Sequence, residues 1–178
     1  NAIYSSGTAS ALNASDTISG NNIFNFNSSG MNLASTGMGD NWQITNNNIY
    51  NAQATASAAT QNGIVIGGGI GQTVTGNFVG GNAAGATGLW TNSGNVIVTG
   101  ILLTGGVATI SNNTIANITT TNTGTTARTR GIVHTSQGDS VVIDGNSIFN
   151  LASFGAIASY VSGSQPVMGI CAFPTTDF

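Results

Sequence analysis

Charge is almost missing from this sequence. Its 178 residues include no lysine and no glutamate. Arg128 and Arg130 are the only strong cations, His134 is the only histidine, and the acids are Asp16, Asp40, Asp139, Asp144 and Asp177. Two arginines cannot neutralise a run of phosphates, which argues against nucleic acid as a partner. A net charge of −3 offers little repulsion against self-association. Cys171 is the sole cysteine, so there is no intrachain disulfide framework. No apolar run approaches the ~18 residues of a membrane-spanning helix, and the glycines follow no three-residue period of the collagen kind. Hydrophobic residues reach 40% with a mean hydropathy of +0.18, which excludes disorder driven by charge. The first residue is Asn1, with no signal-like segment after it. The expectation is that a leader has been removed or that the chain is a piece of a longer polypeptide.

What fills the space is small and polar. Gly (26), Thr (24), Asn (23) and Ser (18) make up about half the chain. All four are weaker helix formers than the missing Glu and Lys, so a helical protein is excluded. Within this background one pattern recurs: an apolar residue, a small polar residue, Gly or Asn, then Asn, any residue and a second residue that is Ile or Val. The five copies begin at Ile18, Ile44, Val74, Ile110 and Ile143. Asn stands three places on in every copy (Asn21, Asn47, Asn77, Asn113, Asn146). Ile23, Ile49, Val79, Ile115 and Ile148 stand five places on. The intervals of 26, 30, 36 and 33 residues suit a solenoid whose turns vary in length while its strands stay aligned.

A second series is led by glycine: Gly30-Met-Asn-Leu33, Gly63-Ile-Val-Ile66, Gly100-Ile-Leu-Leu103, Gly131-Ile-Val-His134 and Gly155-Ala-Ile-Ala158. Each turn is therefore expected to hold a Gly-led strand, a loop, and two strands joined at an Asn corner. Gly and Asn tolerate the left-handed backbone such a corner needs. Turns stacked at ~4.8 Å bring equivalent asparagines above one another as an amide ladder, with the aliphatic positions stacked inside. The predicted fold is all-β, a parallel β-helix of about five to six coils.

These repeats resemble those of right-handed parallel β-helix proteins, the pectate-lyase-like superfamily, over roughly residues 16–158. The resemblance implies a fold and no single activity, because the superfamily spans lyases, glycosidases, phage tailspikes and bacterial surface proteins of the adhesin type. On this basis residues 1–178 form a single β-helix domain. Residues 1–15 are an N-terminal segment, 16–158 the coils, and 159–178 a segment that caps the helix or pairs with a neighbour.

Ionisable groups gather in one place, at Arg128, Arg130, His134, Asp139 and Asp144. An acid, a base and a cation within one turn suit glycosidic chemistry. The competing account makes them surface or corner residues, and it is favoured because Asp144 fills a slot held elsewhere by Ser or Thr. The catalytic carboxylate clusters of the resembled superfamily find no counterpart, so no catalytic residue is carried over. Residues 67–75 superficially match a glycine-rich calcium repeat but lack its aspartate, so a bend is expected and no metal or other cofactor. Sequons at Asn13, Asn27, Asn112 and Asn117 are no more than this composition gives by chance. Residues 52–60 and the Thr-rich 119–129 are expected to protrude as loops, the former with a short helix, and Val96-Ile-Val98 is an extra apolar run. The aromatics beside the corners (Phe24, Phe26, Tyr50, Phe78, Phe149) either stack on sugars or fill the core and loop grooves.

The expected role is a non-enzymatic, extracellular or cell-surface structural protein that stacks head to tail into a filament, sheath or adhesin, with itself as partner. The alternative is a polysaccharide-binding or polysaccharide-degrading β-helix with a groove near residues 128–144 and glycans as partner. A third possibility is one segment of a giant adhesin.

Overall fold

The structure, a computed structural model, describes residues 1–8, 10–33, 39–54, 56–135, 140–156 and 165–172. Strands dominate it, and the one helical element among the described residues is a 3-10 turn at Ala84–Ala86. All strand-to-strand pairings are parallel. Strand rather than helix is the outcome expected of a chain rich in β-branched residues and devoid of Glu and Lys.

Successive strands cycle through three sheets. Sheet I holds β1 (Ile3–Ser5), β4 (Ser29–Leu33), β7 (Gln61–Ile66), β11 (Ile97–Leu103), β14 (Arg128–His134) and β17 (Val167–Ala172), in that order. Sheet II holds β2 (Thr17–Ser19), β5 (Gln43–Thr45), β8 (Gln72–Thr75), β12 (Ala108–Ser111) and β15 (Val141–Asp144). Sheet III holds β3 (Asn22–Phe24), β6 (Asn48–Tyr50), β9 (Phe78–Gly80), β10 (Trp90–Asn92), β13 (Thr114–Thr120) and β16 (Ser147–Ser153). There β9 and β10 share one level, pairing with the first and last parts of β13. Each passage from I through II to III stacks on the one before, an arrangement compatible with a parallel β-helix.

The register is that of the repeat. Ile18, Ile44, Val74, Ile110 and Ile143 align through sheet II. Ile23, Ile49, Val79, Ile115 and Ile148 align through sheet III. All ten face one core; in the middle coils they are fully buried, while Ile18, Ile143 and Ile148 at the ends are half-buried against it. The corner between sheets II and III is left-handed in all five coils, at Gly20, Asn46, Gly76, Asn112 and Gly145. This is the Gly-or-Asn slot of the motif, occupied by the residues that accept positive φ at least cost.

Sheet I needs glycine for a different reason. A Cβ on Gly30 would stand 2.7 Å from the Gly63 carbonyl oxygen and from Ile49 Cγ2; on Gly100, 2.8 Å from the Gly131 oxygen and 2.5 Å from Ile115 Cγ2. The strand lies too close to its upper neighbour and to sheet III to admit any side chain there.

Several local expectations are corrected. The fifth Gly-led strand is β17, with Gly169-Ile170-Cys171-Ala172 in register on β14. Gly155 and Ala156 lie outside any strand, and Ile157 and Ala158 are outside the described residues. Sheet I thus extends into residues 165–172, beyond the coil boundary expected at 158, because β16 runs to Ser153 and leaves too little chain for a strand at Gly155. Val96-Ile-Val98 leads into β11 rather than forming a separate element. No helix occurs among the described residues of 52–60, and Thr119 and Thr120 belong to β13, so the Thr-rich loop is shorter than expected. Residues 67–71 form the expected bend, with Gly69 and Gly71 at positive φ, and residues 72–75 are β8.

Candidate functional site

The five repeat asparagines form one continuous ladder. Each Nδ2 donates to the Oδ1 of the next: Asn21 to Asn47 (3.1 Å), Asn47 to Asn77 (3.0 Å), Asn77 to Asn113 (2.9 Å) and Asn113 to Asn146 (2.9 Å). The same Oδ1 also accepts the backbone N–H of the asparagine below, at 3.0, 3.0, 2.9 and 2.9 Å. From Asn47 upward, Nδ2 reaches back to the carbonyl of the aliphatic residue one coil below, as Asn77 does to Ile44 (2.9 Å). Asn47, Asn77 and Asn113 are buried, so each interior amide is satisfied on both sides while its backbone corner is pinned.

The ladder has a direction, and its two ends differ. At Asn21 no described group donates to Oδ1. At the other end the N–H groups of Gly145 and Asn146 have no described acceptor, although their counterparts one coil below bond upward, Asn112 N to the Asp144 carbonyl and Asn113 N to Asn146 Oδ1. One end offers an acceptor, the other donors. The core is open at the same places. Ile170 shares its column with Met31, Ile64, Ile101 and Ile132, all 0% exposed, yet it is 56% exposed. Ile18, Ile143 and Ile148, whose columns are fully buried in the middle coils, are likewise only half-buried.

Of the polar residues singled out by sequence, the described ones fall on two sheets. Arg128, Arg130 and His134 lie on β14 in sheet I, Asp144 ends β15 in sheet II, and Asp139 is outside the described residues. Asp144 is exposed in the column of Ser111 and Thr75, a corner position as its sequence slot implied. Arg130 sits beside Arg128 and Cys171: burial, with Arg128 adding to it, lowers its pKa from the ordinary arginine value, and burial raises that of the Cys171 thiol. His134 is not the loop or surface residue its isolation suggested. It occupies the inward column of Leu33, Ile66 and Leu103, and its buried Nε2 has no hydrogen-bond partner among the described residues. No cluster of His, Cys, Asp or Glu able to hold a metal occurs among the described residues. No helix there is long and apolar enough to cross a membrane.

The aromatic residues divide. Phe26 is buried edge-on to Trp90 with centroids 5.3 Å apart. Phe24 and Tyr50 stack outside the coils, 5.3 Å apart and 9° from parallel. Phe78 and Phe149 are exposed. A depression of about 230 Å³ lined by Asn25, Phe26, Asn27 and Gln53 lies well away from residues 128–144.

Sequence reasoning missed two buried glutamines. Gln61 Oε1 accepts from Trp90 Nε1 (3.2 Å) and Asn92 Nδ2 (2.7 Å), tying β7 to β10. Gln72 Oε1 accepts the Trp42 N–H (2.9 Å), and its Nε2 donates to the Gly39 carbonyl (2.9 Å). The only available signal was a glutamine standing where its neighbours in the pattern are apolar, and Gln is otherwise scarce here. The chain matches no family model, no curated protein and no solved structure, so neither a family nor a relative points to an enzymatic activity.

Proposed function

We propose that the chain is a right-handed parallel β-helix of the pectate-lyase-like kind and a structural subunit that stacks end on end into an extracellular or cell-surface filament, sheath or adhesin. The handedness follows from the strong preference of parallel crossovers. The observation that carries the function is the unlike pair of ladder ends, acceptor at Asn21 and donors at Gly145 and Asn146. A contact that joins them is head-to-tail, leaves the same two ends free, and so propagates. Low net charge offers little opposition to it. Scattering and negative-stain microscopy of the purified 178-residue chain test this. Unbranched particles that lengthen with concentration are expected, and Phe149→Arg should abolish growth while the circular dichroism spectrum stays that of the parent. A monodisperse monomer at all concentrations would reject the assembly.

A further inference from the structure

The three sheets do not end at the same level. Sheet I has six levels among the described residues, from β1 to β17, whereas sheets II and III have five. If two intact copies stacked with β17 against the next copy's β1, sheets II and III would face each other across an empty level, and the amide ladder would break there. Closing the ladder, Asn146 against Asn21, puts β17 of one copy and β1 of the next in the same place. Only one of them can pair with the next copy's β4.

We infer that assembly proceeds by strand exchange: β17 of one copy displaces β1 of the next and completes its first coil. This rests on the stacking proposed above and specifies its junction. The relative hold of the two strands decides which one leaves. β1 pairs with β4 over three residues, Ile3 to Ser5, whereas β17 pairs with β14 over five positions between Val167 and Ala172. Peeling β1 leaves β2 in place, because residues 6–16 separate them. In the exchanged junction Ile170 takes the column position of Ile3, opposite Met31. Two observations favour this register. The first and last repeat copies, residues 18–25 and 143–150, share six of eight residues, Ile-x-Gly-Asn-x-Ile-Phe-Asn, more than any other pair of copies. They would lie directly on one another, with Phe149 over Phe24 as Phe24 already stacks on Tyr50. Gly169 is the second: a Cβ there meets nothing within 4 Å in the isolated chain, unlike Gly30, Gly63, Gly100 and Gly131, which pack against the coil above. The exchange supplies that coil.

Cys171 makes the inference testable. It shares its column with Val133, Leu102, Val65 and Asn32, and Asn32 lies next to Tyr4 of β1. Within one copy positions 32 and 171 are at opposite ends of the stack; in the exchanged junction they become cross-strand neighbours within disulfide reach. Polymers of Asn32→Cys, mildly oxidised, should run as a ladder of multimers on a non-reducing gel, most chains being cross-linked, whereas the parent chain should give none. Independently, Gly169→Ala should fold normally and lose polymerisation, because its methyl group would meet the Gly30 carbonyl of the next copy. Absence of polymer in the parent chain would overturn both the stacking and the exchange. Polymers that fail to cross-link through positions 32 and 171, or that grow undiminished with Gly169→Ala, would leave stacking intact and overturn the exchange alone.

Discussion

The middle coils and the two end coils carry the same repeat but not the same environment. Asn77 and Asn21 hold equivalent places in it, yet Asn77 is fully buried between two partners and Asn21 is exposed with one. Ile110 is fully buried and Ile143, in register on it, is half-buried. In a stacked fold, then, burial is conferred by the coil above and below rather than by the residue's own strand. An end position is a middle position waiting for a neighbour, and stability per residue should rise from the ends inward.

The largest effect should come from the interior of the ladder. Asn77→Ala removes the acceptor for both Asn47 groups and the donor to Ile44 and Asn113. The Asn47 N–H loses its acceptor outright and three further amide bonds are lost, while Asn47 Nδ2 keeps the Ile18 carbonyl and Asn113 Oδ1 keeps the Asn77 N–H, so a loss of about 3 kcal/mol is expected in denaturant unfolding. Asn21→Ala orphans no buried acceptor, and its cost should stay below about 1 kcal/mol. Equal costs at the two sites would break the comparison.

The core makes the same contrast in apolar terms. Ile110→Ala should cost about 2–5 kcal/mol, the range for a fully buried aliphatic truncation. Ile143→Ala should cost clearly less in dilute monomer and approach the Ile110 value in assembled material, where a further coil covers it. An Ile143 cost that ignores assembly would mean that the last coil is not covered by another copy.

These columns could be read from the sequence because each coil repeats the same physical demands. The corner requires positive φ at one residue and an amide at the next, and the flanking strands require aliphatic residues at fixed steps, so Gly20-Asn21 and Gly145-Asn146 declare themselves without coordinates. Ambiguity arose where a demand is met by more than one residue. Gly155-Ala-Ile-Ala158 and Gly169-Ile-Cys-Ala172 fit the sheet I pattern equally well, and only the path length used by β16 decides between them. The site was less legible than the fold. Residues 128–144 are near in sequence, yet β14 holds Arg128, Arg130 and His134 in sheet I while β15 holds Asp144 in sheet II. Gln61 and Gln72 act across 29–35 residues, at contacts that no local pattern encodes.

Glycine in sheet I gives an intermediate effect. Gly100→Ala must push the Gly131 carbonyl and Ile115 apart, an overpacking penalty of about 1–3 kcal/mol. At Gly169 the same methyl group meets open space, so its effect on the monomer should fall within about 0.5 kcal/mol. Thermal unfolding of the two variants, measured below the concentration at which particles form, compares a covered coil with an open one by a single carbon atom.

One effect should be a gain, and it lies where the coil stack passes from covered to open. His134 fills an inward position that is Leu in β4 and β11 and Ile in β7, and its buried Nε2 finds no partner among the described residues. Replacing it with leucine removes a desolvated polar atom and restores the aliphatic column, so His134→Leu should raise stability by about 1 kcal/mol. The shift would appear as a higher denaturant midpoint with an unchanged slope, because the area exposed on unfolding hardly alters. If the variant is instead less stable than the parent, the imidazole is held by a group that the column does not reveal. Position 134 would then belong with Gln61 and Gln72, buried polar residues that tie neighbouring parts of the chain together, and not with Leu103 in the core.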